Sequence, residues 1–217
     1  MFNADPFSLI ILFVGLSLLP FMAMIATSYL KLVVVISLIR NALGIQSIPP
    51  NMVVNALALI LTFYIMAPCM EKSWAILEAQ REPAAVQKVP TAKNLQAAAE
   101  PFRDFLKAHA SERNVNFFAR SAERLWATDD QPNTEVDRNS FFILVPAFAV
   151  SELSSAFQIG FLIYLPFIAI DIIVSNILLA MGMMMVSPMT ISLPFKLLLF
   201  VLVDGWTRLI QGLILTY

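Results

Sequence analysis

Charge is confined almost entirely to the middle of this 217-residue chain. Residues 1–70 carry three charged side chains, Asp5, Lys31 and Arg40. Residues 141–217 carry five: Glu152, Asp171, Lys196, Asp204 and Arg208. The other 21, ten basic and eleven acidic, lie in residues 71–140. Two greasy blocks therefore flank one water-compatible block. Residues 6–30, 41–70, 153–170 and 172–195 are uncharged. A membrane-spanning helix needs about 20 apolar residues, so each block can supply two spans. The apolar segments read near 7–39, 50–70, 153–181 and 191–215. Asn41, Gly44 and Pro49-Pro50 mark the turn inside the first block.

Composition excludes several classes. Hydrophobic residues make up 59% and charged residues 13%, against about 45–50% and 25% in soluble domains. A soluble globular domain or a disordered chain does not fit. Lys and Arg number 14 against 15 acidic residues, so no basic excess supports nucleic-acid binding. One cysteine, Cys69, cannot form an internal disulfide, and with the single His109 it cannot build a His/Cys zinc site. Cys69 is most simply a small buried hydrophobe, and His109 a surface or interface residue. The six glycines form no dinucleotide or phosphate loop and no nucleophile elbow. Asp171 and Asp204 raise the thought of an intramembrane aspartyl protease, but neither carries the flanking glycine motif of that class. The expectation is a protein with no enzymatic activity, cofactor or metal.

The apolar segments are not plain spans. Pro20 and Pro166 fall within runs, and Pro146, Pro188 and Pro194 bracket others. Each removes a backbone donor and kinks or ends a helix. In lipid, the freed carbonyls need partners from neighbouring protein, which points to an oligomer. A lipid-facing charge at mid-bilayer costs roughly 2.5–3.5 kcal/mol on insertion scales. Glu152, Asp171, Lys196 and Asp204 must therefore pair, line an aqueous path or sit between subunits. A hairpin folded about residues 183–184 puts Asp171 and Lys196 at similar height. Asp204 and Arg208 are spaced i,i+4, acid first, as in a helical ion pair. Structural pairing is the simpler reading of these charges, and a functional path the sharper one. If the connections near Lys31–Arg40 and before Lys196 face the cytoplasm, the positive-inside rule holds. Residues 71–140 and both termini then lie on the periplasmic side.

Three domains are expected: a hydrophobic helical hairpin over 1–70, a polar helical insert over 71–140 and a second hydrophobic hairpin over 141–217. In the insert, residues 95–126 place Leu95, Phe102, Phe105, Leu106, Phe117, Phe118, Leu125 and Trp126 at helical spacings, with charges between. This predicts two amphipathic helices broken near Asn114 or Asn116, with loops over 80–94 and 128–139. The N-terminus has no basic residue before its apolar run and no small-residue cleavage site, so the first block is expected to be retained.

Met181, Met183, Met184, Met185 and Met189 fall within nine residues, interrupted by Gly182. Methionine is flexible and polarizable and seals irregular gaps. Consecutive helical residues point about 100° apart, so three adjacent methionines cannot share one helix face. A loop or helix break presenting them together fits better. One reading is core filling in a turn, and the other a soft constriction formed by several copies.

Three segments carry a resemblance: RNALGIQSIPPN from Arg40, PAFAVSELSSAFQIGF from Pro146, and PFIAIDIIVSNILLAMGMMMVSP from Pro166, continued by MTISLPFKLLLFVLVDGW. They resemble the FliP/SctR (YscR, HrcR) family of type III secretion export-gate subunits. The resemblance runs nearly end to end, with only residues 75–138 unspecific. It implies an all-α fold of kinked hairpins assembling into a ring or helical oligomer in the bacterial inner membrane. It implies about five copies, joined by SctS/FliQ-type and SctT/FliR-type subunits. Further implied partners are SctU/FlhB-type and SctV/FlhA-type proteins, the inner rod and needle, and unfolded secreted substrates. The family's methionine gasket falls on Met183, Met184 and Met185, with Met181 and Met189 adjacent. Flagellar members usually carry a cleavable N-terminal signal, so the injectisome branch is favoured. The rival readings are a small ion-coupled transporter or channel acting alone, and a purely structural assembly factor.

Overall fold

The computed structural model describes residues 6–45, 48–79, 92–126 and 136–217. Among the described residues there are eight helices and no strand: α1 Pro6–Ile25, α2 Tyr29–Ala42, α3 Asn51–Ala79, α4 Ala92–His109, α5 Glu112–Trp126, α6 Phe141–Ala180, α7 Pro188–Leu202 and α8 Gly205–Ile214. The all-α class expected from the sequence is the one observed.

The centre is α2. Its Leu32, Val35, Ile36 and Ile39 are at most 1% exposed. Around them pack Val54 and Ala58 of α3, Ala156 and Phe167 of α6, Phe200 of α7, and Leu209 and Leu213 of α8. Gly160 lets α6 come close to α2, because a Cβ there would collide with the Leu38 side chain. Insert helices α4 and α5 share their small cores with the start of α6: Leu106 packs with Leu144 and Phe148, and Ala119 and Ala122 with Ile143.

Two helices, α3 and α6, are long and apolar enough to cross a membrane, and up to four spans result if each bent pair counts as one. The breaks do not fall at prolines, as the sequence suggested. The pair α1–α2 bends by 57° after Ile25, and α7–α8 by 60° after Leu202. Pro20, Pro146, Pro166 and Pro194 all lie inside helices. In apolar surroundings no water competes for the remaining backbone bonds, so the helix continues past a lost donor. At the first break, Thr27 Oγ1 donates to the Ala23 carbonyl at 2.6 Å and accepts from the Tyr29 amide at 3.4 Å. Pro188 does mark a boundary, at the first turn of α7, where its missing N–H costs nothing.

Two details of the insert also differ. The break between its helices lies at Ala110-Ser111, not near Asn114 or Asn116. Ser111 accepts from the Asn114 amide at 3.3 Å, and its own amide donates to Ser151 Oγ at 2.9 Å. A serine cap outranked the asparagines as a helix start. Of the expected loops, 80–91 and 128–135 lie outside the described residues. Ala92–Asn94 belong to α4, and Asp137 anchors a turn by accepting from the Asn139 amide at 2.9 Å.

Large apolar side chains remain uncovered on the single chain. Phe63 and Tyr64 of α3, Phe157, Phe161 and Leu162 of α6, and Phe195 and Leu198 of α7 are all more than half exposed. An apolar surface of this extent calls for lipid or neighbouring protein.

Candidate functional site

The methionine stretch is the tip of the α6–α7 hairpin. Helix α6 ends in a left-handed glycine: Gly182 has φ +73°, a conformation that glycine adopts freely. The Met183 amide donates to the Leu178 carbonyl at 2.9 Å, and the Gly182 amide to Leu179 at 3.0 Å. This paired closure satisfies the last carbonyls of α6 and turns the chain sharply. Met183, Met184 and Met185 follow in the turn, and the chain re-enters a helix at Pro188. Met184 and Met185 are 82% and 101% exposed, and Met181, Met183 and Met189 are exposed too. The structure thus puts the three adjacent methionines on a non-helical turn, the arrangement that the helix-face argument favoured.

A half-buried ion pair ties the hairpin to the core. Lys196 Nζ lies 2.6 Å from Asp171 Oδ2 and donates to the Ala42 carbonyl at the end of α2, at 3.2 Å. Ser192 Oγ donates to Asp171 Oδ1 at 2.6 Å. Lys196 is 3% exposed and Ser192 fully buried, whereas the Asp171 side chain is 39% exposed. The nine residues of α6 beyond Asp171 project the methionine tip about 14 Å past this pair.

Glu152 has a separate partner, which the sequence reading did not identify. Its Oε1 lies 2.9 Å from Lys31 Nζ, and both side chains are at most 4% exposed. The Tyr217 hydroxyl donates to Glu152 Oε2. Lys31 Nζ sits 4.0 Å from the centroid of the Tyr217 ring and 3.5 Å from Thr216 Oγ1. Burial, then the Glu152 carboxylate, push the Tyr217 hydroxyl above the ordinary phenol range, so it remains a donor. His109 lies beside this cluster. It is half-buried, with its ring 4.5 Å from Phe105 and 5.2 Å from Tyr217. Each of the two stands alone in an apolar run and so needs a partner, but nothing local says which residue supplies it.

Asp204 and Arg208 do not pair. Asp204 stands before α8 with φ +53° and accepts from Thr207 Oγ1 at 3.0 Å. The i,i+4 geometry requires both residues inside one helix, and the α7–α8 break removes Asp204 from it. Cys69 is buried and free in α3. No metal-ligating cluster occurs among the described residues.

Comparison with known proteins bears on the whole chain. Residues 12–213 match the model of the FliP family. The chain belongs to the FliP family. Its relatives include the Yop proteins translocation protein R of Yersinia pestis, 54% identical over 98% of this chain and 97% of that protein. The hypersensitivity response secretion protein HrcR of Ralstonia nicotianae is 46% identical over 99% of both chains. The virulence protein YscR of Salmonella typhimurium is 46% identical over 98% and 97%. These names place the FliP-family chain on the YscR/HrcR branch, as the sequence resemblance suggested. Its relatives are secretion and translocation proteins.

Proposed function

We propose that this protein is a pore subunit of a type III secretion export gate. Several copies, about five, form a ring in the bacterial inner membrane with SctS/FliQ-type and SctT/FliR-type subunits. The insert over 71–140 lies on the periplasmic side. The path carries unfolded proteins toward rod and needle, and the converging methionine tips close it at rest. A passing chain displaces these pliable side chains, which grip it without sequence selectivity. Energy comes from other subunits.

The observation that carries this reading is the exposed methionine turn, held out beyond the Asp171–Lys196 ion pair. A flexible apolar tip on a fixed base suits a seal that must yield and reclose. The lone-transporter reading is less favoured, because it needs charges along a water path. Lys31, Glu152 and Lys196 are instead paired and nearly inaccessible.

The test is to replace Met183, Met184 and Met185 together by Ala and measure ion conductance of the assembled complex. The turn depends on Gly182 and Pro188, so assembly is expected to persist while ions leak. Background conductance in a fully assembled variant would refute the gasket and favour a purely structural role.

A further inference from the structure

The methionine turn concentrates a chemistry that a seal does not need. Five thioethers lie within nine residues, and none is among the side chains that pack the core. Met184 and Met185 stand almost clear of the protein, and Met181, Met183 and Met189 are exposed as well. Met66 on α3 gives the contrast, since it is buried. Thioether sulfur reacts with peroxides, and the product, methionine sulfoxide, is polar and chiral. Oxidising a core methionine disrupts packing. Oxidation at this turn meets no such cost. The turn is closed by its backbone: besides the bonds from the Gly182 and Met183 amides, the Met184 amide donates to the Gly182 carbonyl at 3.0 Å and the Val186 amide to Met183 at 3.4 Å. The side chains can therefore change polarity while the turn keeps its shape.

The surroundings favour the oxidised form. A cleft of about 500 Å³ opens beside the tip, where Met189 shares the lining with Asp171, Ser175, Asn176 and Ser187. The two serines and the asparagine bring hydroxyl and amide donors, and Ser187 makes no capping bond of its own. A thioether is a weak acceptor. A sulfoxide oxygen is a strong one, so donors of little use to the reduced side chain serve the oxidised one.

We propose that the methionine turn is a modification site for hydrogen peroxide, and that its oxidation opens the seal. In each event a sulfur lone pair attacks one peroxide oxygen. An S–O bond forms and the O–O bond breaks. The proton of the transferred hydroxyl passes to the departing hydroxide, which leaves as water. Sulfur is oxidised by two electrons and the peroxide reduced by two. Met184 and Met185 react first, and Met66 stays reduced. The consequence rests on the gasket reading. An apolar constriction closes by staying dry, whereas sulfoxides from several copies hold water. Oxidation therefore lets ions pass without unfolding the hairpin, and a methionine sulfoxide reductase restores the seal.

The test treats the full chain in its assembled complex with hydrogen peroxide and follows two readouts. Peptide mass spectrometry should find an added oxygen on Met184 and Met185 first, with Met66 reacting roughly ten-fold slower or more, because it needs local opening. Ion conductance should rise several-fold in step with that oxygen and fall back after treatment with the reductase. The triple variant Met183→Leu/Met184→Leu/Met185→Leu cannot take the oxygen at these positions. Peroxide should add little to whatever that variant conducts at rest. Met52→Leu removes another exposed thioether, at the start of α3, and should leave the response intact. Turn methionines modified no faster than Met66 would overturn the proposal. So would a full peroxide response in the leucine variant, or modification with unchanged conductance. In that last case the alanine variant of the three methionines separates the two readings. If it leaks, the gasket stands and only this inference falls; if it stays tight, both fall.

Discussion

Lys31 on α2 and Glu152 on α6 form an ion pair at 2.9 Å that is almost wholly removed from solvent. Two charges at such a depth are tolerable only together, because each alone would carry an unrepaid desolvation cost. Removing one partner is expected to cost about 3–5 kcal/mol. Lys31→Met and Glu152→Gln should each lower the melting temperature and the yield of assembled complex sharply. The double variant Lys31→Met/Glu152→Met should recover most of the loss, since an apolar pair of similar size has no charge to strand. Thermal melts of the unaltered protein, Lys31→Met, Glu152→Met and the double variant form the cycle. Additive losses in the double variant would show that the two residues act independently.

Tyr217 closes the same cluster. Tyr217→Phe keeps the ring against Lys31 and His109 and deletes only the hydroxyl that donates to Glu152. A hydrogen bond to a charged group contributes about 1.5–3 kcal/mol. The expected loss is of that size, smaller than for removing Lys31. In the background of Glu152→Gln the same change should cost about half as much, because the acceptor is then neutral. Melting temperatures of the single and double variants decide it, and equal costs in both backgrounds would mean that the hydroxyl does not serve the carboxylate.

These clusters differ in how far the sequence disclosed them. Asp171 and Lys196 were legible because one short hairpin joins them, and folding it at the methionines sets their register. The turn itself was legible from Gly182 and Ser187-Pro188. The Lys31–Glu152 pair was not, since it joins segments separated by the whole insert and depends on how α6 crosses α2. Tyr217 was invisible for the same reason: nothing local tells a terminal tyrosine that it returns to α2. Asp204 and Arg208 misled in the opposite way. Their spacing is that of a helical pair, but a left-handed residue at the α7–α8 break takes Asp204 out of the helix. The prolines misled because one lost donor does not end a long apolar helix whose other backbone bonds have no water to exchange with, and the freed carbonyl can be met by neighbouring protein.

Gly160 sets how closely α6 approaches α2. A Cβ there would also lie 3.3 Å from Leu38 Cβ, too close for ordinary packing. Gly160→Ala is expected to destabilise by about 1–3 kcal/mol, the usual cost of overpacking. Gly160→Val should be worse. Leu38→Ala placed beside Gly160→Ala should return part of the loss, because the collision is with the Leu38 side chain. If Leu38→Ala adds its own cost instead of rescuing, the two helices are held apart by something else. Denaturation in mild detergent measures each step.

The Asp171–Lys196 pair should fail unequally. Lys196 is 3% exposed, whereas the Asp171 side chain is 39% exposed. Asp171→Ala strands a buried ammonium, which keeps only the Ala42 carbonyl. It also takes an acceptor from Ser192, and about 2–4 kcal/mol is expected. Lys196→Met leaves a carboxylate that water reaches and that still accepts from Ser192, so about 1–2 kcal/mol is expected. Both changes should reduce assembly, with Asp171→Ala the more damaging. The turn is closed by its own backbone bonds at Gly182 and Met183, so it should survive and the loss should appear in how α7 docks on α2. Hydrogen exchange read along α7 and the yield of assembled complex test both points. Normal assembly with each single change would leave the pair without a role in holding the hairpin. Greater damage from Lys196→Met would mean that its bond to Ala42, not its charge, anchors the hairpin to the core.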